Sequence, residues 1–433
     1  MGSRLRGNDR WVGGAHLALA KQGGVLKPTP TRDPLLFTIC TLGIAQITAW
    51  GTSYYVVGIL AAPLVADTGW SRTLVYAGFT VAMLSMAIVS TWAGKLIDRR
   101  GARPVMCAGT LWVALGLFAL SFVRSEAAYL ALWAFLGVGM RLTLYDAAFA
   151  AVVQVAPSHG RQAISYLTLF GAFASSVFWV IGHYFNAGLG WRQTLVAFAV
   201  IHLVVCLPLN WLGLATRESP DRKASTAEAA RASRDGPPLT GNVRTLAMIL
   251  FALVMSMNGF IFGVVAVHLV PLFEAVGLTA AMAVWIASMK GVAQFSGRVV
   301  EIVFGKNLRA ITVGRIALGV LPLSFIVLWF AGGDWRAILA FTLLMGAAQG
   351  VITIVRGAVP LALFGKEGYG TVLGLLATPI VVINAVSPTL FALIVDRWGW
   401  RAAEVVLLVI TVVSCVGMEL MSRWYERRRE TGW

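Results

Sequence analysis

Charged residues are scarce in this chain, and long polar stretches are nearly absent from it. Only 12% of its 433 residues are Asp, Glu, Lys or Arg, whereas 58% are hydrophobic. Soluble domains carry about 25% charged residues, so the shortage indicates lipid as the main solvent. The apolar runs are roughly 20 residues long, enough to cross about 30 Å of hydrocarbon as helices. Transmembrane strands are excluded because they are shorter and alternate in hydrophobicity.

Groups that carry catalysis or bind metals are also rare. The four cysteines (Cys40, Cys107, Cys206 and Cys415) all lie inside apolar runs, and their spacing matches no metal site. We interpret them as small hydrophobic residues in helix packing. Serine, histidine and aspartate are scattered over separate runs, without a nucleophile and base that pair. The sequence therefore predicts no enzyme, no metal site and no cofactor.

The apolar runs predict an all-α membrane protein of about twelve transmembrane helices in two six-helix halves. A polar stretch near the middle of the chain separates the sixth helix from the seventh. The predicted spans are residues 35–65, 72–97, 103–123, 127–150, 162–185, 192–214, 244–272, 280–304, 309–331, 336–358, 369–394 and 401–422. The predicted domains are a disordered cytoplasmic arm (1–34), an N-terminal half (35–214), a cytoplasmic linker (215–243), a C-terminal half (244–422) and a basic cytoplasmic tail (423–433).

Positive charge is distributed unevenly between the predicted loops. The net charge is +16, and most basic residues lie in the arm, the 95–103 loop, the linker and the tail. Because short cytoplasmic loops retain Lys and Arg, this pattern places both termini in the cytoplasm. The basic residues alternate between loops and form no single basic face, so nucleic acid is not an expected partner. Lipids and a small-molecule substrate are expected partners of a monomer.

An internal repeat is visible in the sequence. GWRQTLVAFAVIHLVVC begins at Gly190 and GWRAAEVVLLVITVVSC at Gly399, an offset of 209 residues. The same offset relates Cys206 to Cys415, and Gly137 in span 4 to Gly346 in span 10. One offset that satisfies all three matches and equals the six-span spacing indicates two parallel six-helix halves.

A short loop between the second and third spans carries the most specific motif. It reads GKLIDRRGARP, in which Gly94, Asp98, Arg99, Gly101 and Arg103 form the pattern G-x-x-x-D-R-x-G-x-R. The glycines permit a tight turn, and Asp98 can accept hydrogen bonds at a helix N-terminus or pair with arginine. Together with twelve spans in two halves, this loop resembles the signature loop of the major facilitator superfamily. That resemblance implies that the five residues belong to a conformational gate on the inner face.

Four further stretches indicate which branch of the superfamily the chain resembles. WGTSYY in span 1, LYDAAFA in span 4, QFSGRVVE in span 8 and VRGAVPLALFGKEGYG after span 10 are similar to a bacterial group related to the monocarboxylate transporters. Proton-coupled drug exporters of the superfamily usually carry an arginine before the glycines of span 4, where this chain has Trp133 and Ala134, and a Gly-Pro pair in span 5, which has no proline here. The aspartate that monocarboxylate transporters place four residues before the span 8 arginine is Gln294 here, and their span 1 lysine is absent. The resemblance implies a transporter of a small carboxylate in the bacterial inner membrane.

One lysine lies in the middle of a predicted span. Lys290 follows the start of span 8 by ten residues, which places it about 15 Å deep. A lysine at this depth costs about 2.5–3.5 kcal/mol, so it should face a watery cavity or a partner. It is either an ammonium that binds a substrate anion or a structural link to a neighbouring span. Gln294 in the same span is a further candidate substrate contact.

Other charged residues lie nearer the predicted cytoplasmic ends of the spans. Arg298 and Glu301 are three residues apart on one helical face and are expected to pair with each other. Asp146 and Arg356 lie at similar depth in spans 4 and 10, and predict a gate of ion pairs between the halves, with substrate contact as the alternative. Arg141 lies deeper and could serve either role. Since no carboxylate lies at mid-membrane, a co-transported proton would be carried by Asp146 or Glu301.

Uncharged candidates for a substrate pocket come from spans 1 and 7. Aromatic side chains with a few polar groups are typical of a pocket for a small amphipathic solute, although helix packing is the alternative. We predict Trp50, Tyr54, Tyr55 and Asn258 as substrate contacts, together with Lys290, Gln294 and Arg141.

Three functions stay open at this point. The favoured one is a secondary transporter of a small organic anion, by proton symport, facilitated diffusion or exchange. An efflux pump for drugs or metalloids is the second, with Cys40 and Cys107 as its thiols. A non-transporting receptor of the same fold is the third, but the termini and linker are too short to supply a signalling domain.

Overall fold

The computed structural model describes residues 34–215 and 236–430, without the side chains of residues 34, 306 and 428–430. Every regular element within these residues is a helix. The predicted arm up to residue 33, most of the predicted linker (216–235) and the last three residues of the tail lie outside them.

The N-terminal half contains nine α-helices, of which several join end to end to form one membrane crossing. A π-helical segment, Trp50–Tyr54, joins α1 to α2, and a second one, His202–Cys206, joins α8 to α9. The helices are α1 (Pro34–Ala49), α2 (Val56–Thr68), α3 (Arg72–Arg100), α4 (Ala102–Leu120), α5 (Glu126–Thr143), α6 (Tyr145–Val155), α7 (Gly160–Gly171), α8 (Ala174–Ile201) and α9 (Leu207–Gly213).

The C-terminal half contains five longer α-helices. A short 3-10 turn, Gly305–Asn307, separates the second from the third. The helices are α10 (Gly241–Ala275), α11 (Ala280–Phe304), α12 (Ala310–Phe330), α13 (Trp335–Phe364) and α14 (Tyr369–Glu430). Since α14 continues to Glu430, residues 423–430 of the predicted tail prolong the last helix.

The helices supply the predicted number of membrane crossings. Within the described residues, nine helical stretches are long and apolar enough to cross a membrane. Two of them, Gly160–Gly213 and Tyr369–Arg427, bend at a glycine and each supply two crossings. Helix α11 is long enough as well, but its charged residues lower its hydropathy. With α11 included, the prediction of an all-α membrane protein with twelve spans in two halves is confirmed.

The backbone repeats the pattern seen in the sequence. Gly190 has φ 80° and ψ 166°, and Gly399, 209 residues later, has φ 78° and ψ 171°. Such positive φ angles favour glycine, so both halves bend at the same point between their fifth and sixth crossings. Gly137 packs against the backbone of Ala82, and Gly346 against the backbone of Lys290. The repeated glycines therefore hold equivalent pairs of helices together.

Helices α11 and α13 pack closely through small residues. A β-carbon added at Gly346 would meet the backbone of Lys290, and one added at Gly350 would overlap the carbonyl group of Gln294. Glycines four residues apart allow two membrane helices to approach to backbone contact. This contact fixes the height and rotation of α11, which carries the predicted substrate contacts Lys290 and Gln294.

The fourth span is broken, whereas the sequence predicts one continuous helix over 127–150. Leu144 is extended, with ψ −171°, so α5 ends at Thr143 and α6 begins at Tyr145. The Gln46 side-chain nitrogen donates a hydrogen bond of 2.7 Å to the carbonyl oxygen of Thr143. A broken helix is tolerated within a membrane protein when other groups satisfy the freed backbone. The break sets Arg141 and Asp146 on either side of an irregular turn.

Candidate functional site

Asp98 connects the two halves at one end of the bundle, which we call the Asp98 end. Its Oδ1 accepts from the backbone N–H of Gly370 at 2.9 Å. Its Oδ2 accepts from the N–H and the hydroxyl of Thr371, at 2.7 and 2.6 Å. Gly370 and Thr371 open α14, so the carboxylate occupies the positive end of a helix dipole. No arginine pairs with Asp98 among the described residues.

The other residues of the motif have different surroundings. Gly94 lies against the carbonyl group of Gly370, where a side chain would overlap backbone, and Gly101 turns the chain with φ 83°. Arg103 stays within its own half: its Nε donates to the Trp211 carbonyl at 2.8 Å and its guanidinium lies over that ring. Arg99 is exposed. Gly94 and Asp98 are the members of the motif that contact the other half within the described residues.

Asp98→Asn is expected to open the Asp98 end. The substitution removes a charge that accepts three hydrogen bonds at a helix N-terminus, which we value at about 2 kcal/mol, or about a 30-fold shift in the conformational equilibrium. Distance measurements between spin labels on the ends of α3 and α14 would report the shift. Asp396→Asn, an exposed aspartate at the other end of the same crossing, is the matched control. Unchanged distances in the Asp98 variant would contradict this role.

Asp146 forms a second connection between the halves. Its Oδ2 accepts from Arg141 of the same span and, at 2.6 Å, from Arg356 Nη2 on α13. Arg141 and Asp146 are buried, whereas Arg356 is half-buried. Asp146 Oδ1 and Arg141 Nε are buried without a hydrogen-bond partner. Two guanidinium groups thus share one carboxylate oxygen, a cluster that we call the Asp146 lock.

Arg298 and Glu301 each contact the opposite half and not each other. The Arg298 guanidinium donates to the carbonyl oxygen of Thr168 at 2.6 Å. Glu301 accepts from Ser165 at 2.9 Å and from Arg161 at 3.2 Å. The predicted local pair is therefore wrong. The spacing of three residues permits that pair, but both side chains find stronger partners on α7.

A cavity of about 730 Å³ adjoins these contacts at the Asp98 end. It lies between α7, α11 and α13, and its wall includes Arg161, Ser165, Glu301 and Lys366. Arg161 also donates to the carbonyl groups of Gly305 and Leu308. The ion pair between Arg161 and Glu301 therefore forms part of the cavity wall.

At the opposite end of the bundle, the polar contacts of the described residues stay within one half. Trp191 donates to Asp67 in the N-terminal half, and His268 bonds the carbonyl group of Pro388 in the C-terminal half. Helix α11 contacts the N-terminal half at three successive levels. Starting from the Asp98 end, these contacts are made by Glu301, by Arg298 and by Phe295, whose ring centre lies 5.0 Å from that of Phe173. The halves are thus joined at the Asp98 end and up to the middle.

Lys290 lies just beyond the last of these contacts. It precedes Phe295 by five residues and therefore lies about 7.5 Å farther along the helix axis, toward the opposite end of the bundle. Among the described residues its ammonium makes no hydrogen bond or ion pair, and it lies 5.4 Å from the ring centre of Phe262 on α10. Gln294, one turn away on the same face, also makes no side-chain hydrogen bond there. Neither group belongs to the atoms that are fully buried without a partner.

An aromatic cluster from three spans faces the same region. It consists of Trp50, Tyr54 and Tyr55 of span 1, Phe79 of α3 and Tyr145 of α6. The Trp50 ring lies 4.7 Å from Tyr54 and 4.9 Å from Tyr145, and Tyr54 lies 4.9 Å from Phe79. All five side chains are half-buried although they contact one another across helices. They therefore line the inside of the bundle and not its lipid surface.

The depth of the aromatic cluster in the bundle can be compared with the depths of Arg298 and Lys290 on α11. The Tyr145 hydroxyl and the Arg298 guanidinium both donate to the carbonyl group of Thr168, so these two residues lie at one level. Lys290 is two helical turns from Arg298, about 12 Å, and Tyr54 is one turn beyond Trp50, which contacts Tyr145. The rings thus lie at the level of Arg298 and about one turn beyond it, and the unpartnered ammonium lies about one further turn along, on the opposite half.

Two predicted substrate contacts have partners in this conformation. Asn258 is buried, and its amide nitrogen donates to Ser414 at 2.8 Å and to the Val254 carbonyl group. Arg141 belongs to the Asp146 lock. Both contribute here to helix packing or closure, and their contact with substrate stays a prediction.

Sequence reasoning missed four residues that the structure brings to the site. Arg161, Phe79, Tyr145 and Phe262 lie near span ends or among other apolar residues, where nothing in the pattern distinguishes them. Tyr145 could have been found, because it is adjacent to Asp146. The others depend on contacts between distant helices.

The described helices and contacts define a polytopic membrane protein of two six-helix halves that are joined at one end. The sequence profile of the Major Facilitator Superfamily matches residues 42–330 and 295–433. The chain belongs to that superfamily, and the resemblance inferred from the GKLIDRRGARP loop is confirmed. The branch related to monocarboxylate transporters stays a prediction.

Similar proteins include exporters and transporters. The agnestins efflux protein AgnL12 of Paecilomyces divaricatus is 23% identical over 377 residues, which cover 84% of this chain and 80% of the relative. The multidrug resistance protein MdtL of Escherichia coli is 24% identical over 172 residues, 40% of this chain and 43% of MdtL. The crystal structure of the human organic anion transporter MFSD10 has a TM-score of 0.71 at 15% identity and covers 89% of this chain and 100% of its own. At that identity the structure shows the fold alone.

Proposed function

We propose that the chain is a secondary transporter that carries a small organic anion, with a carboxylate group, across the bacterial inner membrane by alternating access. In this proposal residues 35–214 and 244–422 form the two halves, joined by a cytoplasmic linker. The halves rock about a site near the middle of the bundle, as in other transporters built from repeats.

The observation that carries the proposal is the unpartnered Lys290. A lysine in a membrane span is costly unless a partner or water compensates its charge. In the described part of the chain, the other charged residues of the central region are bonded across the halves or within the Asp146 lock. Lys290 is not, and it lies where the contacts between the halves end. An anionic substrate would supply the missing counter-charge.

The contacts at the Asp98 end act as the gate in this proposal. Asp98, the Asp146 lock and the contacts of Arg298 and Glu301 hold that end closed, while Gly94 permits the close approach of α3 to α14 and Gly101 permits the turn that follows α3. If the Asp98 end is cytoplasmic, as the positive residues predict, the conformation faces outward. The substrate then enters beside Lys290, and release requires the gate contacts to separate.

A co-transported proton is one mode of coupling. Asp146 and Glu301 are the carboxylates of the gate, so protonation of either would weaken a contact that spans the halves. Proton binding and opening of the Asp98 end would then be linked. Facilitated diffusion and exchange need no such step, and the two cases differ in their response to a pH gradient.

Efflux is the second candidate function, because the relative that covers 84% of the chain is described as an efflux protein. The cargo would then leave the cell along the same route. The described residues contain no group of three or more His, Cys, Asp or Glu that could hold a metal ion, and Cys107 is buried.

Reconstitution into liposomes tests the proposal. Labelled small carboxylates would be added outside, with and without a pH gradient, and both uptake and loss from preloaded vesicles would be followed. Carboxylate flux that depends on the protein supports anion transport, and stimulation by an inward proton gradient supports symport. Flux of drug-like compounds without any carboxylate flux, from protein shown to be folded, would favour the efflux function.

A further inference from the structure

We infer that the substrate is a monoanionic acid with a flat aromatic ring, and that Trp50 selects the ring. The inference rests on the proposed anion transport and specifies the substrate of that same site. It follows from the division of the site into an aromatic wall and a single cation.

The aromatic cluster described above forms a continuous wall across three spans, which we call the aromatic wall. Trp50 is its centre: its ring lies within 4.7 Å of Tyr54, 4.9 Å of Tyr145 and 6.4 Å of Tyr55. The rings meet at tilted or edge-on angles, between 42° and 54° around Trp50 and 90° for Tyr54 against Phe79. Aromatic rings favour such tilted and edge-to-face contacts. A further flat ring therefore fits this surface better than a puckered saturated ring.

Two hydroxyl groups of the wall have no hydrogen-bond partner among the described residues. Within the described chain the hydroxyl groups of Tyr54 and Tyr55 make no hydrogen bond, and neither is among the atoms buried without a partner. Phenol hydroxyls that reach open space can donate to an acid group or to a ring substituent. By contrast, the Tyr145 hydroxyl donates to the Thr168 carbonyl group. The hydroxyl groups of Tyr54 and Tyr55 are thus available to a ligand in this conformation.

The opposite half offers one cation to the acid. Lys290 is unpartnered, and Gln294 beside it adds a neutral donor and acceptor. The guanidinium groups of Arg298, Arg141 and Arg356 are engaged in the gate. One free positive charge matches one carboxylate. A second negative charge, or an ammonium group beside Lys290, would remain uncompensated.

The backbone favours this assignment of Trp50. Residues 50–54 form a π-helical segment between α1 and α2, and such segments occur frequently at functional sites. A π-turn inserts one residue into a helix and rotates the side chains that follow. Here it lets Trp50, Tyr54 and Tyr55 all contribute rings to one wall, as their mutual distances show.

The test measures ligand-induced stabilisation of the detergent-purified full chain. Benzoate and cyclohexanecarboxylate share size and charge and differ in ring saturation, so their affinities isolate the ring. We expect benzoate to bind about 2- to 12-fold more tightly, the range that aromatic contacts supply. Phthalate, a dianion, and phenylalanine, which adds an ammonium group, are expected to bind at least about 10-fold more weakly than benzoate, because Lys290 can neutralise only one charge.

Variants assign the preference to Trp50. Trp50→Leu is expected to equalise benzoate and cyclohexanecarboxylate, whereas Trp50→Phe keeps most of the difference. Trp92→Leu, which removes an exposed tryptophan from α3, is the matched control and should leave both affinities unchanged. The unliganded melting temperature shows whether each variant is folded. If Trp50→Leu does not fold, Phe79→Leu tests the same wall through a second ring.

The outcomes separate this inference from the proposed function. Equal binding of the two ring acids by the wild type, with both lost in Lys290→Gln, overturns the ring selectivity and leaves anion transport standing. Phthalate that binds more tightly than benzoate overturns the assignment of a single cation. Failure of every carboxylate to bind folded protein overturns the proposed function and this inference with it.

Discussion

The Lys290→Gln variant is expected to lose carboxylate transport while it keeps its fold. Glutamine is one atom shorter than lysine and uncharged, so it fits within the space that the lysine side chain occupies beside Phe262. A charge-assisted contact between the ammonium and a substrate carboxylate is worth about 1.5–3 kcal/mol, or roughly 10- to 150-fold in apparent affinity. Because Lys290 has no partner in the described residues, removing its charge leaves no other group unpaired.

Matched variants make the Lys290 prediction specific. Lys290→Arg keeps the charge and should retain part of the uptake. Lys366→Gln removes an exposed lysine at the Asp98 end and should leave uptake close to that of the wild type. The measurement is initial uptake of a labelled carboxylate into proteoliposomes over a range of concentrations. Wild-type affinity in Lys290→Gln would contradict the anion-binding role and assign Lys290 to structure.

We expect substitutions of Asp146 and of Arg356, both members of the Asp146 lock, to have different effects. Asp146→Asn leaves two guanidinium groups without their shared carboxylate, one of them buried. Breaking a buried ion pair by removing one partner costs about 3–5 kcal/mol, so this variant should lose thermal stability and transport together. Arg356→Gln keeps the pair of Arg141 with Asp146 and removes only the half-buried link to the other half. It should fold normally and favour a conformation open at the Asp98 end.

Thermal unfolding and spin-label distances distinguish the two variants. The expected result is a clear drop in melting temperature for Asp146→Asn, and for Arg356→Gln a near-normal melting temperature with longer distances across the Asp98 end. Arg315→Gln is a useful control, because Arg315 pairs with Glu419 inside the C-terminal half at 2.7 Å. Equal destabilisation by Asp146→Asn and Arg356→Gln would show that the lock is a uniform structural pair and not a gate.

The sequence predicts the spans and their number because each apolar run must be long enough to cross the hydrocarbon core of the membrane. The same reasoning identifies Lys290, since a charged side chain inside an apolar span is energetically costly and therefore indicates a function or a partner. The offset of 209 residues predicts two parallel halves, and the matched bends at Gly190 and Gly399 agree with that repeat. These features are local or periodic, so one sequence is enough to recognise them.

The partners of the gate residues could not be predicted in the same way. Asp98 contacts Thr371, 273 residues away, and Arg161 contacts Glu301, 140 residues away. A charged residue near a span end has many possible partners, and spacing along one helix identifies only the local ones. That is why Arg298 and Glu301 were predicted as a pair, although each contacts α7. The break at Leu144 was missed because its cause, the hydrogen bond from Gln46 to Thr143, joins two different spans.

The central claim is that the ammonium of Lys290 recognises the substrate anion, and equilibrium binding tests it most directly. Labelled lactate and benzoate would be titrated against purified wild-type, Lys290→Gln and Lys290→Arg proteins, without transport or gating in the measurement. We predict saturable binding to the wild type, weaker binding to the arginine variant, and a loss of at least about 10-fold in affinity for the glutamine variant. Equal affinity of the wild type and Lys290→Gln for both acids would contradict the claim.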